Sequence, residues 1–186
     1  MLDGIRAAVA AGFEPVKVNV VVVRGVNDDE IVDFARFGRD EGVVVRFIEF
    51  MPLDADQRWS HDQVVPSAEI KAAIDAVFPT QPVHRGSDPA ERHRYVDGRG
   101  EIGVIGTVTE PFCSSCDRVR LTADGQLRAC LFATEETDLR SLLRSGATDD
   151  DLAAALQTTV AGKWAGHGIS NVTFTRPTRS MSEIGG

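Results

Sequence analysis

The sequence predicts an α/β fold that begins with a parallel strand-helix-strand crossover and continues into an α+β region of antiparallel hairpins. Three observations predict it. Two β-branched runs, Val16–Val23 and Val43–Met51, flank a stretch of helical periodicity. Asp-Gly pairs at 97–98 and 124–125 stand where a chain folds back on itself. The 186 residues are also enough to bury a core without covalent staples, as one large domain or two small ones.

Composition narrows the function. With 42% hydrophobic and 26% charged residues, the chain has the make-up of an ordinary soluble globular protein, and no apolar run approaches the length of a bilayer span. A formal charge of −8 argues against nucleic acid as a partner, which requires a basic face, so an anionic ligand has to be caught locally. The start, Met1-Leu-Asp-Gly-Ile-Arg, lacks the pattern of a secretory signal, and the expected compartment is the reducing cytoplasm. Three cysteines in that setting are ligands or thiols.

Residues 3 to 12 read as a short helix ended by Gly12. The run Val16–Val23 follows, and its β-branched density predicts burial on both faces, as in a parallel sheet. Lys17 and Asn19, two apart, share one face, either as charge guarding an edge strand or as polar groups in a barrel interior. Asn27 is placed to cap a helix with Glu30 returning the bond, and Ile31, Phe34 and Ala35 form its buried stripe. Gly42 punctuates, and the second run ends at Pro52. Arg46, Glu49 and Met51 fall towards its carboxyl end, where such folds bind ligands, although Met51 also reads as core filling.

Beyond a polar loop at 54–66, Ser67 is expected to cap a helix running to Phe78. The Pro, Gly and Ser rich stretch from Pro79 to Pro89 marks a boundary, giving domains at 1–82 and 83–186. A hairpin turning near Asp97-Gly98 opens the second. Gly103 and Gly106 lack the strand-to-helix context of a nucleotide loop. Thr137 and Thr148 are expected helix caps, the second with Asp151 at the capping-box position and Leu152, Leu156 and Val160 on one face. The polar ending from Thr173 reads, on composition, as a frayed tail.

All three cysteines lie between Pro111 and Cys130. A two-residue turn at Asp124-Gly125 would face Ala123 with Gln126 and set Cys130 opposite Val119, near Cys113 and Cys116. Such a trio suits structural zinc, a redox dithiol or an iron-sulfur cluster. Zinc would need a remote histidine, His84, His93 or His167, as a fourth ligand, and the dithiol would want a helix after a strand. Cluster and zinc both stay open on spacing. Arg118 and Arg120, at alternate positions, suggest a receptor for phosphate or carboxylate, against the plainer reading of solvated strand residues. Ideal alternation puts Cys130 and the arginines on opposite faces, so a shared site needs a twist, a bulge or a different loop length.

The stretch Phe112-Cys-Ser-Ser-Cys-Asp-Arg-Val-Arg-Leu-Thr-Ala-Asp-Gly-Gln-Leu-Arg-Ala-Cys-Leu-Phe132 closely resembles the C-terminal cluster motif of the molybdenum cofactor biosynthesis protein A family, the radical S-adenosylmethionine GTP 3′,8-cyclases. Val16-Lys-Val-Asn-Val, Arg46-Phe-Ile-Glu-Phe-Met51 and the ending Ser-Glu-Ile-Gly-Gly186 extend the resemblance over essentially the whole chain. The resemblance implies the last two βα units of a partial TIM-type barrel, followed by an α+β domain with antiparallel hairpins carrying an iron-sulfur site. It implies that Cys113, Cys116 and Cys130 bind a 4Fe-4S cluster whose open iron meets the guanine of GTP. It further implies that Arg118, Val119, Arg120 and Lys17 contact the substrate, Met51 contacts S-adenosylmethionine, and Gly185-Gly186 enter the active site. The metal-binding, lyase-type chemistry of the family leads from GTP to the precursor of cyclic pyranopterin monophosphate, made by a downstream synthase.

The family's radical-generating motif, Cys-x3-Cys-x2-Cys, has no counterpart here, since all three cysteines are used. A truncated or split enzyme is therefore expected, in which S-adenosylmethionine and the second 4Fe-4S cluster come with an N-terminal half supplied upstream or as a partner. The uncovered parallel strands predict poor solubility or association, such as a homodimer. The alternative is a non-catalytic, metal-stabilised module, holding zinc or an iron-sulfur cluster, that binds a nucleotide or another protein.

Overall fold

The computed structural model describes residues 1–54, 58–163, 166, 168–169 and 174–184. The chain divides into two compact units, residues 1–51 with 60–112 and residues 52–59 with 113–186, whereas the sequence reading sets its boundary at 82/83. The first unit holds a five-stranded mixed sheet and the second a three-stranded antiparallel one.

In the first unit, α1 (Leu2–Ala10) buries none of its residues. Strand β1 (Lys17–Val22) pairs in parallel with β2 (Val44–Glu49), Asn19 facing Arg46. The crossover is α2 (Ile31–Glu41), closed by Gly42 in the left-handed region at φ +70°. Its stripe is as the periodicity predicts: Ile31 and Ala35 are buried and Phe34 packs against the core. Gly38 is required by packing, because a Cβ there would lie 2.9 Å from Val45 Cγ2. Asn27 does not cap the helix. Its Oδ1 accepts from Val23 N–H at 2.8 Å and its Nδ2 donates to Val21 O at 3.0 Å, so it ties off β1 instead.

The next helix, α3 (Ser67–Asp75), is shorter than expected, and Ser67 is its first residue rather than its cap. Strands β3 (Thr80–Val83), β4 (Glu91–Tyr95) and β5 (Glu101–Ile105) then complete the order β1-β2-β5-β4-β3. The expected hairpin at Asp97-Gly98 is present between β4 and β5, and β5 also runs parallel to β2. Val45 and Phe47 from β2, Ile102 and Val104 from β5, Tyr95 from β4, and Ile70 and Ile74 from α3 join Ile31 and Ala35 in one apolar cluster. The guanidinium of Arg39 closes its rim, 4.5 Å from the Phe78 ring centre and 4.4 Å from that of Tyr95, with Asp97 Oδ2 at 2.5 Å.

Two-sided burial of β1 does not hold. The strand stands at the sheet edge with Lys17, Asn19 and Val21 exposed, and only the Val18, Val20, Val22 side turned towards the helices.

In the second unit, β6 (Arg120–Leu121), β7 (Gln126–Arg128) and β8 (Thr137–Asp138) precede α4 (Leu139–Arg144) and α5 (Asp149–Ala161). Asp138, not Thr137, caps α4, its Oδ1 accepting from Ser141 N–H at 2.9 Å. Thr148 and Asp151 form the expected capping box on α5. Leu156 and Val160 are exposed, so the half-buried face of α5 runs through Leu152, Ala155 and Thr159. No helix among the described residues is long and apolar enough to cross a membrane.

Candidate functional site

The loop between β6 and β7 is one residue longer than the sequence suggests. Thr122 N–H donates to Gln126 O and Gly125 N–H donates to Thr122 O, both at 2.9 Å, so Ala123, Asp124 and Gly125 form a three-residue turn. Gly125 takes φ +81°, a left-handed conformation that L residues rarely adopt. Arg120 therefore faces Arg128, and Leu121 faces Leu127. The pairing ends at Arg128; counted two residues further, the same register would put Cys130 opposite Arg118 rather than Val119. Within the paired residues Arg120 and Arg128 lie on one side of the hairpin, and the extra loop residue shifts the count by one, the change that a shared cysteine and arginine face requires.

Cys113 opens a 3-10 turn, and Cys116 N–H closes it onto Cys113 O at 3.2 Å. All three cysteines are half-buried and none forms a disulfide. Arg118 Nη2 donates to Cys116 Sγ at 3.4 Å, Lys163 Nζ lies 3.6 Å from the same sulfur, and Phe132 N–H reaches Cys130 Sγ at 3.5 Å. Burial raises the Cys116 thiol, but the backbone and side-chain donors of Arg118, with the charges of Arg118 and Lys163, outweigh it and bring the thiol below its ordinary value. Arg120 is held below its ordinary value by burial and by the charges of Arg118 and Arg128, with Cys130 acting in the opposite direction.

The hairpin also anchors a network that sequence reasoning missed. Arg128 is buried, at 2% exposure, and donates to Glu136 and to the Ala133 carbonyl. Its Nε is buried without a hydrogen-bond partner among the described residues. Glu136 also binds Arg179, with Nε 2.9 Å from Oε1 and Nη2 3.0 Å from Oε2, and Arg179 reaches Asp124 Oδ2 at 2.8 Å. Arg179 and Thr122 hold the Asp124 carboxyl down to about 2. The ending is therefore not frayed through residue 184: Met181 N–H bonds Leu53 O at 2.9 Å, and Ile184 is 1% exposed. Alternation from Cys130 could have pointed to Arg128, but no local signal marks Lys163 or Arg179, which meet the hairpin from 45 and 55 residues away.

A cavity of about 540 Å³ lies within this unit, with Leu127, Ala129, Cys130 and Phe132 on one side and Thr159 and Phe174 on another. Among the described residues, no three His, Cys, Asp or Glu side chains are grouped so as to hold a metal ion as they stand. In chemical kind the donors do fit an iron-sulfur cluster: three thiols outside any disulfide and cationic N–H donors directed at sulfur.

In the first unit, Lys17 lies on the exposed face of β1 beside Asn19, whose Oδ1 accepts from Arg46 Nε at 2.8 Å. Met51 is half-buried just beyond β2. Glu49 is fully buried and structural: its carboxylate accepts from the N–H groups of Ser67 at 2.7 Å, Val108 at 2.6 Å and Thr109 at 2.9 Å, and from the Thr109 hydroxyl. Gly185 and Gly186 lie outside the described residues.

Comparison with known proteins agrees with the resemblance. Residues 43–169 match the family model described as Molybdenum Cofactor Synthesis C. The GTP 3′,8-cyclase of Streptomyces coelicolor is 48% identical over 189 residues, a match covering 100% of this chain and 55% of that protein. The GTP 3′,8-cyclase of Mycobacterium marinum and the GTP 3′,8-cyclase 2 of Mycobacterium tuberculosis are each 47% identical over 192 residues, covering 100% of this chain and 53% of theirs. The chain thus spans about half the length of the curated relatives it matches. With more than half of its residues matched by the family model, the chain belongs to the Molybdenum Cofactor Synthesis C family.

Proposed function

We propose that this chain is the substrate-binding part of a GTP 3′,8-cyclase acting in molybdenum cofactor biosynthesis. Cys113, Cys116 and Cys130 would hold a 4Fe-4S cluster, and a cluster bound by three thiolates supplies one open iron as an anchor for the guanine of GTP. Arg118 and Arg120, with the backbone about Val119, bind the triphosphate, because planar guanidiniums take oxyanions through paired N–H bonds. Lys17 adds a further substrate contact, Met51 a contact with S-adenosylmethionine, and Gly185-Gly186 complete the active site. The radical-generating half, with its own cluster, comes from an upstream segment or a partner, so this chain alone binds GTP without turnover.

The observation that carries this reading is the hydrogen bond from Arg118 Nη2 to Cys116 Sγ, one of the arginine pair against one of the three thiols. The cationic donors around Cys116 favour thiolate ligands. In the first unit, α2 and α3 pack on one face of the sheet while Lys17, Asn19 and Arg46 share the other, as inward positions of a partial barrel do.

Anaerobic reconstitution followed by iron, sulfide and zinc analysis tests the cluster. The expected result is iron and sulfide in equal amounts, and stoichiometric zinc without sulfide would replace this reading with the metal-stabilised module. GTP titration of the loaded chain tests the arginines, with binding lost on replacing Arg118 and Arg120 by alanine.

A further inference from the structure

We infer that Lys163 is the positioning residue of the Cys-x2-Cys loop, and that it tunes the electron affinity of the centre held there through its ammonium beside Cys116. The inference rests on the cluster reading above. Lys163 stands just past Gly162, the residue that caps α5, and its own N–H bonds Val160 O at 3.1 Å. The helix is fixed against the second sheet, where Thr159 and Thr137 share a hydroxyl hydrogen bond of 2.7 Å. From this anchored point the half-buried side chain makes two contacts with a loop 45 residues earlier in sequence. Nζ donates to the Arg118 carbonyl and stands 3.6 Å from Cys116 Sγ.

Each contact has its own consequence. The bond to the Arg118 carbonyl fixes the backbone between the cysteine pair and the arginine pair, so both are held in one conformation. The contact with sulfur places a positive charge and an N–H donor on a ligand atom. Donors of this kind withdraw electron density from thiolate and favour the more reduced, more negative state of the centre, which raises its reduction potential. Arg118 Nη2 makes a similar contact from the other direction, but Arg118 is exposed and assigned to phosphate. Lys163 is the donor whose position does not depend on substrate.

The test uses the full chain, reconstituted anaerobically as wild type, K163M and K163R, with iron and sulfide measured before an electron-paramagnetic-resonance redox titration. K163M is expected to load as wild type does but to be reduced only at lower potential. A tenfold loss in the reduced-to-oxidised ratio at fixed potential corresponds to about 59 mV for one electron, and K163R should stay close to wild type. Loss of loading in K163M alone, with K163R loaded, also supports the inference, since the ammonium then holds the ligand loop. Equal potentials in wild type and K163M overturn it, as does K163R behaving like K163M. A wild-type chain that takes up no iron and sulfide overturns the cluster reading first, and the two failures are thereby told apart.

Discussion

Arg120 and Arg128 face each other directly across β6 and β7, two guanidiniums in a position where like charges repel. The pair is tolerated because Arg128 is buried against Glu136, which Arg179 holds from the other side. Glu136→Ala should therefore leave a buried guanidinium without its carboxylate and destabilise the second unit by about 3–5 kcal/mol. Arg128→Met, which removes the buried charge while keeping volume, should cost clearly less. Urea denaturation of both variants, followed by near-ultraviolet dichroism, compares them.

Glu49 uses both carboxylate oxygens. Oε1 serves Ser67 and the Thr109 hydroxyl, and Oε2 serves the amides of Val108 and Thr109. Glu49→Gln keeps one acceptor oxygen and turns an NH₂ towards donors, at about 1–3 kcal/mol for each donor left without an acceptor. A lowered urea midpoint with an unchanged slope is expected. Wild-type stability in this variant would mean that the carboxylate is not the tie between β2, α3 and the loop after β5.

Gly125 is fixed both by its positive φ and by space, since a Cβ would stand 2.6 Å from Arg140 Cβ. Gly125→Ala should destabilise by at least about 1–2 kcal/mol from backbone strain alone. Because the same turn sets the register, the substitution should also lower iron loading. Thermal melting and metal analysis of one preparation would detect both effects.

The Asp124–Arg179 pair predicts a pH effect at the acidic end. The Asp124 carboxyl falls from its ordinary 3.8 to about 2 in the folded chain. A lowered folded value adds stability that is present above pH 4 and is lost as the pH falls from about 4 towards 2. Attachment of the C-terminal segment should weaken over that window, read as faster release of residues by an acid-tolerant carboxypeptidase. Asp124→Asn should remove that pH dependence.

Much of the fold was legible because its signals are local. The two valine-rich runs, the stripe of α2 and the Thr148–Asp151 box each depend on residues within a few positions. β-branched density overstates the burial of β1 because it reports strand propensity, whereas the number of covered faces depends on neighbouring layers. Periodicity misplaces the face of α5 for a similar reason, as Leu156 and Val160 of its i, i+4 apolar series are exposed. At the site, the cysteine and arginine motif was readable and led to the family. One loop residue then changed the strand register, and nothing in the Asp-Gly pair itself distinguishes a two-residue turn from a three-residue one. Glu49, Lys163 and Arg179 act on partners 18 to 60 residues away, beyond the reach of any periodicity.

The two margins of the five-stranded sheet are chemically unlike. β3 is four residues long and contains Pro82, which has no amide to offer an incoming strand. β1 is six residues of Lys, Asn and Val with an amide at every position, and among the described strands it pairs with β2 alone. Growth of this sheet is thus directional. An added strand would find amides along β1 as far as Val21, whose carbonyl Asn27 already occupies, whereas on the other side it meets Pro82 within β3.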